Sequence, residues 1–313
     1  MNNRIFLFLP VLFLLLVSSC KKDEPIAEPL TIVETAQATP DLSLLVEAVV
    51  AANLVDALNS GTFTVFAPNN AAFQTLLDSD PTWNTISDIP VSVLTSVLLF
   101  HVVEGKVRAA DLSDTYVNTL STGPNAEPYS LQITVTGGVA FDGNAMPITT
   151  DVETSNGVVH IIDKVMMPNS LVDFALGNPN FSSLVAALTR PSFNGAFVGA
   201  LSMTGPFTVF APTNVAFQDL LDSNPAWNTL ADIDDTTLSA VLSYHVYIGG
   251  NVQSDELSPG QVISMYGGGD IEVSLTNDGA QLLTSGGQTV DIILTDVQGT
   301  NGVIHVVDQV LLP

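Results

Sequence analysis

One sequence pattern occurs twice in this chain, in the same order in its two halves. Residues 64–73 read TVFAPNNAAF and return as residues 208–217, which read TVFAPTNVAF. Residues 156–160, NGVVH, return as residues 301–305, NGVIH. The other paired positions are Trp83 with Trp227 and His101 with His245. Motifs that keep their order and spacing over such a distance indicate a duplicated unit.

Each copy is long enough to bury its own core, so the repeats are globular domains in tandem rather than turns of a solenoid. We place domain 1 at residues 31–168 and domain 2 at residues 169–313. The link at residues 168–170 is short and has no glycine-rich or serine-rich run, which favours a fixed angle between the domains.

The first residues are typical of a targeting segment. Residues 5–17 are apolar but fall short of the about 20 residues that a membrane-spanning helix needs, so residues 1–19 are predicted to be a signal peptide. The sequence Val-Ser-Ser-Cys that ends at Cys20 resembles a bacterial lipobox, in which the cysteine is acylated. We therefore expect lipidation at Cys20, the only cysteine, and a flexible tether over residues 20–30.

Location and charge narrow the range of partners. The charged residues 21–24, KKDE, resemble signals that send some lipoproteins of the Bacteroidetes to the outer face of the outer membrane. We expect an exported protein, anchored in the outer membrane through acylated Cys20 and displayed at the cell surface. The chain has 32 acidic residues against 7 Lys and Arg, a net charge of −25. Such an acidic protein repels nucleic acid, which excludes DNA and RNA as partners.

The apolar period changes within each copy from that of helices to that of strands. Helices are predicted near residues 42–52 and 91–100, and Asn69 is a predicted N-cap, as is Thr213 in the second copy. The strand-like segments are residues 63–67, 131–135 and 158–165, with counterparts at residues 207–211, 271–275 and 303–310. Helices come first and strands follow, which predicts an α+β fold with antiparallel pairing.

Three motifs together resemble the fasciclin domain. They are Thr-Val-Phe-Ala-Pro before a helix containing Ala-Phe, an aromatic-His pair near the middle, and a closing Asn-Gly-Val-Ile-His-Val-Val-Asp segment. The resemblance covers both copies, nearly the whole chain after the tether. It implies a twisted wedge of antiparallel strands with helices along one side, and a role in adhesion or matrix contact.

The resemblance also implies candidate recognition residues. A Tyr-His pair carries adhesion in animal members, and an Asp-Ile pair before the closing strand does likewise. The corresponding residues are Tyr244 and His245, Phe100 and His101, Asp151 and Val152, and Asp296 and Val297. Phe100 lacks the hydroxyl group, and both Asp-Val pairs have valine in place of isoleucine.

Other paired residues are predicted to be structural. His160 and His305 interrupt apolar strands and should be neutral core residues with hydrogen-bond partners. Asp163 and Asp308 are predicted to be turn or network carboxylates, and Trp83 and Trp227 to pack against turns. No zinc-site spacing and no calcium loop occurs in the sequence, so no metal or other cofactor is expected.

Three functions remain open at this point. The sequence contains no nucleophile elbow, phosphate-binding loop or dinucleotide motif, so the leading hypothesis is a non-enzymatic surface protein that contacts extracellular proteins or glycans. The alternative is a carbohydrate-binding accessory protein of a surface polysaccharide-handling complex. That alternative predicts that some of Trp83, Trp227, Tyr116, Tyr129 and Tyr266 lie side by side in an exposed groove. A hydrolase would require a histidine beside a Ser or Asp side chain in an open cleft.

Overall fold

A computed structural model of the chain describes residues 28–277 and 279–313. The predicted signal peptide, Cys20 and most of the predicted tether lie outside these residues. The described chain forms two seven-stranded sheets, one in each domain, with helices packed against them. In this part of the chain no helix is long and apolar enough to cross a membrane.

Domain 1 contains five α-helices and seven strands among its described residues. They are α1 (Ile32–Ala38), α2 (Ser43–Ala51), α3 (Val55–Asn59), β1 (Phe63–Pro68), α4 (Asn70–Asp78), α5 (Val91–Phe100), β2 (Val102–Glu104), β3 (Thr115–Thr122), β4 (Pro128–Thr134), β5 (Ala140–Phe141), β6 (Pro147–Thr154) and β7 (Gly157–Ile162). The α5 helix has the bounds predicted from the sequence.

Domain 2 repeats this order of elements. They are α6 (Leu171–Gly177), α7 (Ser182–Leu188), α8 (Ala196–Leu201), β8 (Phe207–Pro212), α9 (Asn214–Asp222), α10 (Asp235–Tyr244), β9 (Val246–Tyr247), β10 (Val262–Ser264), β11 (Asp270–Thr276), β12 (Gly279–Thr284), β13 (Thr289–Gly299) and β14 (Gly302–Val307). The predicted N-caps are confirmed, because Asn69 and Thr213 accept hydrogen bonds from the backbone N–H groups of α4 and α9.

The α+β architecture is confirmed, and most strand pairs are antiparallel as predicted, but each sheet also contains one parallel pair. The strand orders are β5-β4-β3-β2-β1-β7-β6 and β10-β11-β12-β13-β14-β8-β9. Next to the edge strands β6 and β9, β1 runs parallel to β7, and β8 runs parallel to β14. Alternation of apolar residues reports which faces are buried and not the direction of a strand. The long connection between β1 and β7 allows the chain to return in parallel.

The central strands are buried on both faces, which explains their nearly continuous apolar sequence. In β1, Val65 belongs to the cluster on the helix side, which includes Phe73. The next residue, Phe66, belongs to the cluster on the other face, with Phe100 and Phe141. Domain 2 repeats this division with Val209 and Phe217 on one face and Phe210 and Tyr244 on the other. Each domain therefore has a complete core of its own.

Candidate functional site

His101 and His245 are buried at the C-terminal ends of α5 and α10. The Nδ1 atom of His101 donates to the carbonyl oxygen of Val97 at 2.7 Å, and Nε2 accepts from the backbone N–H of Met166 at 2.9 Å. Because Nε2 is an acceptor, the ring is neutral. Burial lowers the pKa of His101 to about 4, against an opposing hydrogen bond with Val97. His245 forms the equivalent two bonds, and burial lowers its pKa to about 4 as well.

A surface role for the two aromatic-His pairs is therefore ruled out in this fold. Phe100, His101, Tyr244 and His245 are all buried, with at most 3% of any of them exposed. The Tyr244 hydroxyl donates to the carbonyl oxygen of Asp270 at 2.6 Å. The Phe100 ring instead meets Tyr129 edge-on, with 6.4 Å between ring centroids. The hydroxyl that Phe100 lacks would thus be a core group.

His160 and His305 lie in the strands β7 and β14, and both are fully buried. His160 Nε2 is 2.9 Å from the carbonyl oxygen of Val107, and its ring stacks on Phe66 at 5.6 Å. His305 has the same arrangement with Val252 and Phe210, and burial lowers its pKa. The four histidines thus bond to backbone groups, and none bonds to a Ser or Asp side chain within the described residues. The hydrolase hypothesis requires a histidine that acts as a general base on a serine, and none of these four histidines is placed to do so.

Asp151 and Asp296 hold β-bulges in β6 and β13. Both have positive φ, 58° and 61°, and the strand register shifts beside each of them. Asp151 accepts from the N–H of Ala109 at 2.8 Å, and Asp296 accepts from the N–H and hydroxyl of Ser254. Each carboxylate therefore joins its bulge to the loop that follows β2 or β9.

The neighbours of the bulge aspartates differ in exposure. Val152 is half-buried and Val297 is buried, so neither offers a free apolar surface for recognition. Asp151 is exposed, whereas Asp296 is only partly accessible and its carbonyl oxygen accepts from the Ser130 hydroxyl of domain 1 at 3.3 Å. Of the two predicted Asp-Val recognition pairs, only the domain 1 copy keeps an open carboxylate.

Asp163 and Asp308 follow the last strand of each domain, and each joins the end of that strand to the neighbouring segment of the chain by hydrogen bonds. The Asp163 carboxylate accepts from the N–H of Met146 at 2.7 Å, and its own N–H donates to the Met146 carbonyl oxygen at 3.0 Å. Asp308 forms the same two-bond clamp with Asp291. These carboxylates have structural partners.

The aromatic residues do not form the exposed row that a carbohydrate-binding groove was predicted to have. Trp83 and Trp227 are half-buried and pack against the helix-side cores of separate domains. Tyr116 and Tyr129 are also partly buried, and only Tyr266 is largely exposed, at 62%. That version of the glycan hypothesis is wrong.

The domains contact each other through β4 of domain 1 and β13 of domain 2. The Ser130 hydroxyl accepts from the backbone N–H of Gln298 at 2.9 Å. The Gln298 side chain lies within a buried amide network, where its Oε1 accepts from Asn251 at 3.0 Å and from Gln253 at 2.7 Å. Its Nε2 donates to two backbone carbonyl groups near the β13–β14 turn. This interface is not among the features that the sequence motifs predict.

The same positions in domain 1 carry charges. Strand register aligns Glu153 with Gln298, and the loops after β2 and β9 align Lys106 with Asn251 and Arg108 with Gln253. Arg108 and Glu153 form an ion pair at 2.8 Å, with side chains 60% and 47% exposed. We call the surface of Lys106, Arg108, Asp151 and Glu153 the domain 1 edge. The signal for the interface was present in the sequence, because amides replace charges where one copy is covered by the other.

A second set of contacts joins the domains near the link. The Tyr116 hydroxyl accepts from Asn178 Nδ2 at 2.8 Å, and the Tyr116 ring meets Phe174 edge-on at 5.7 Å. Asn169 donates a hydrogen bond to the Asp142 carboxylate. Burial raises the pKa of Asp142 to about 7, although the bond from Asn169 opposes the shift and the charge of Asp173 adds to it. The interface therefore contains a carboxyl group that titrates near neutral pH.

Within the described residues, no group of three or more His, Cys, Asp or Glu side chains is placed to hold a metal ion. Four of the seven Lys and Arg residues lie in this part of the chain, and two of them, Lys106 and Arg108, are in the domain 1 edge. This edge therefore combines two of the four cationic side chains of the described surface with the carboxylates of Asp151 and Glu153.

Comparison with known proteins identifies the class. The fasciclin domain family model matches residues 40–168 and 179–313, so the chain belongs to the fasciclin domain family. It is a tandem fasciclin-domain protein. Human periostin is 32% identical over 263 residues, which cover 81% of this chain and 28% of periostin, so the chain spans less than a third of that relative. An uncharacterized protein of Synechocystis, sll1735, is 42% identical over 137 residues, covering 44% of this chain and 96% of that protein.

The fold is also similar to a solved structure, a FAS1 domain pair from the insect cell adhesion molecule fasciclin I. The TM-score is 0.53 at 22% sequence identity, and the match covers 87% of this chain and 97% of that chain. At this identity the likeness supports the fold alone. It extends to a pair of domains and not only to one.

Proposed function

We propose that this protein is a non-enzymatic, lipid-anchored cell-surface protein that mediates adhesion by binding extracellular proteins. The proposal depends on one observation: two equivalent surfaces, one in each domain, differ in their exposure to solvent. In domain 2 the surface around Asp296 and Gln298 is covered by domain 1, whereas the domain 1 edge is open. The family membership supports the same conclusion.

The domain 1 edge has the properties of a protein-binding surface. Its strand β6 is the last strand of the sheet, so one side of its backbone is free to pair with an added strand. Its side chains carry both signs of charge, and complementary charges on a partner would set orientation and speed association. This arrangement supports the proposal that the protein recognises an extracellular protein through β6 and the flanking charges.

Charge reversal at the edge tests the proposal. The double change Lys106→Glu and Arg108→Glu is expected to weaken binding of the full chain to immobilised matrix proteins and to cells by about tenfold, because like charges would then face the partner. Lys164→Glu is the matched control, since this exposed lysine lies beyond the opposite end of β7. Equal binding by all three proteins, or no binding by the unmodified chain, would contradict an adhesive edge.

Anchoring and location need a separate measurement. We expect protease added to intact cells to remove the protein, because acyl chains on Cys20 would hold it at the outer face of the outer membrane. The change Cys20→Ala should release the protein from the membrane fraction. Protection from protease until the outer membrane is broken would place it in the periplasm and remove the basis for adhesion.

A further inference from the structure

A cleft of about 520 Å³ lies between the two domains. One wall is formed by β3 and β4 of domain 1, with Tyr116 and Gln132. The other wall is formed by domain 2, with Asn178, Ile293 and Leu294. The volume falls within the about 300–1,000 Å³ range of small-molecule sites. The cleft exists only when both domains are present.

Gln132 is the distinctive residue of this cleft. It lies in β4 directly opposite Tyr116 of β3, and only 5% of it is exposed. Across residues 28–277 and 279–313, its side-chain amide forms no hydrogen bond, although it lines the cleft. The amide has donors and an acceptor that face no protein partner, so a ligand group that supplies both a donor and an acceptor fits there.

Several other polar groups of the cleft are already engaged. Tyr116 accepts from Asn178, and Asn178 Oδ1 accepts from the N–H of Asn180. The Asp114 carboxylate accepts from the N–H of Val135 and from both the N–H and the hydroxyl of Thr136. These bonds fix the walls and satisfy the carboxylate. Gln132 is thus the buried polar side chain of the cleft whose hydrogen-bonding capacity is left for a ligand.

The chemistry of the walls selects the class of ligand. No Lys or Arg lines the cleft, which disfavours anions, and the occupied Asp114 carboxylate offers little to a cation. Ile293 and Leu294 are 57% and 38% exposed and present apolar surface beside the polar wall. A ligand with many hydroxyl groups and one apolar face fits both walls. We propose that the cleft between the domains binds a neutral carbohydrate, and that the Gln132 amide bonds to its hydroxyl groups.

This proposal does not depend on the adhesive role of the domain 1 edge. The edge and the cleft share none of their named residues, so substitution removes one while the other is kept. The proposal also differs from an aromatic platform on the surface, because hydrogen bonds within a preformed cleft give the specificity.

Titration of the full chain with maltose, cellobiose and N,N′-diacetylchitobiose tests the proposal, followed by NMR of backbone amides and by calorimetry. We expect at least one of these sugars to bind with about millimolar affinity and to shift signals of β3, β4 and the 178–181 segment. Gln132→Met keeps the size of the side chain and removes its hydrogen bonds. This change should weaken binding by about tenfold.

Two further variants make the result decisive. Gln74→Met alters an exposed glutamine of α4 outside the cleft and should bind as the unmodified chain does. Thr115→Arg places a long side chain on the exposed cleft wall and should also reduce binding, which covers the case in which Gln132→Met fails to fold. Absence of any shift with these sugars, or shifts confined to residues outside the cleft, would overturn the proposal. So would folded Gln132→Met and Thr115→Arg variants that both bind as tightly as the unmodified chain.

Discussion

Replacing His101 with alanine should destabilise domain 1 by about 3–5 kcal/mol. The change leaves the carbonyl group of Val97 and the N–H of Met166 without their buried partner, at about 1–3 kcal/mol each, and it creates a cavity in the core. Urea unfolding followed by tryptophan fluorescence measures the loss. The additional change Trp227→Phe leaves Trp83 as the only tryptophan and restricts the signal to domain 1.

The duplicated domain supplies a matched experiment. His245→Ala, read through Trp227 in a Trp83→Phe background, should destabilise domain 2 to a similar extent because the two sites have the same bonds. Gln74→Ala, at an exposed position of α4, serves as the control and should change stability by no more than about 0.5 kcal/mol. A loss below about 1 kcal/mol in both histidine variants would show that these rings do not hold the fold.

Acid should destabilise domain 2 by about 3 kcal/mol between pH 6.5 and pH 4. The folded pKa of His245 is about 4, below its ordinary value of 6.5, so the unfolded chain binds the proton first. The stability due to the neutral ring is present above pH 6.5 and is lost as the pH falls towards 4. Burial lowers the pKa of His305 in the same direction, which adds to the loss.

Domain 1 should be less sensitive to acid than domain 2. His101 acts as His245 does, but Asp142 acts in the opposite direction because its folded pKa is raised from 3.8 to about 7. Ionisation of Asp142 costs stability as the pH rises through this range, so acid relieves that cost while it charges His101. The two effects partly cancel.

Unfolding of the two single-tryptophan proteins between pH 4 and pH 8 measures both slopes. Asp142→Asn removes the opposing effect and should bring the acid sensitivity of domain 1 closer to that of domain 2, while raising its stability at pH 8. Asparagine accepts the positive φ of 52° found at this position. Equal slopes for the two domains before this change, or an unchanged slope after it, would refute the opposing roles.

Much of the fold follows from local patterns in the sequence. The bounds of α5, the N-caps Asn69 and Thr213, and the buried central strands each depend on neighbouring residues, which a sequence shows directly. The helices α1 and α6 were not predicted. Their signal was a capping box, in which Thr31 and Glu34, and likewise Ser170 and Asp173, exchange hydrogen bonds.

The candidate sites were less predictable from the sequence. They depend on which distant parts of the chain pack over a residue, and not on its neighbours in sequence. The pairs Phe100-His101 and Tyr244-His245 follow helices at turns, where exposure is usual, but the closing segment of each domain folds over them. Asp151 and Asp296 have equivalent local sequences and differ only because domain 1 covers one of them. Gln132 has no local signal at all, since its cleft requires both domains.

A charged substitution is expected to have different energetic costs in the covered strand β13 and in the open strand β6. A lysine or glutamate in place of Gln298 would lose its hydration without gaining a counterion, a burial that costs several kcal/mol. The same exchange at Glu153 would meet solvent and cost little. Sequence differences between the two domains at these positions therefore show which domain is covered by the other. They do not require the two domains to have different functions.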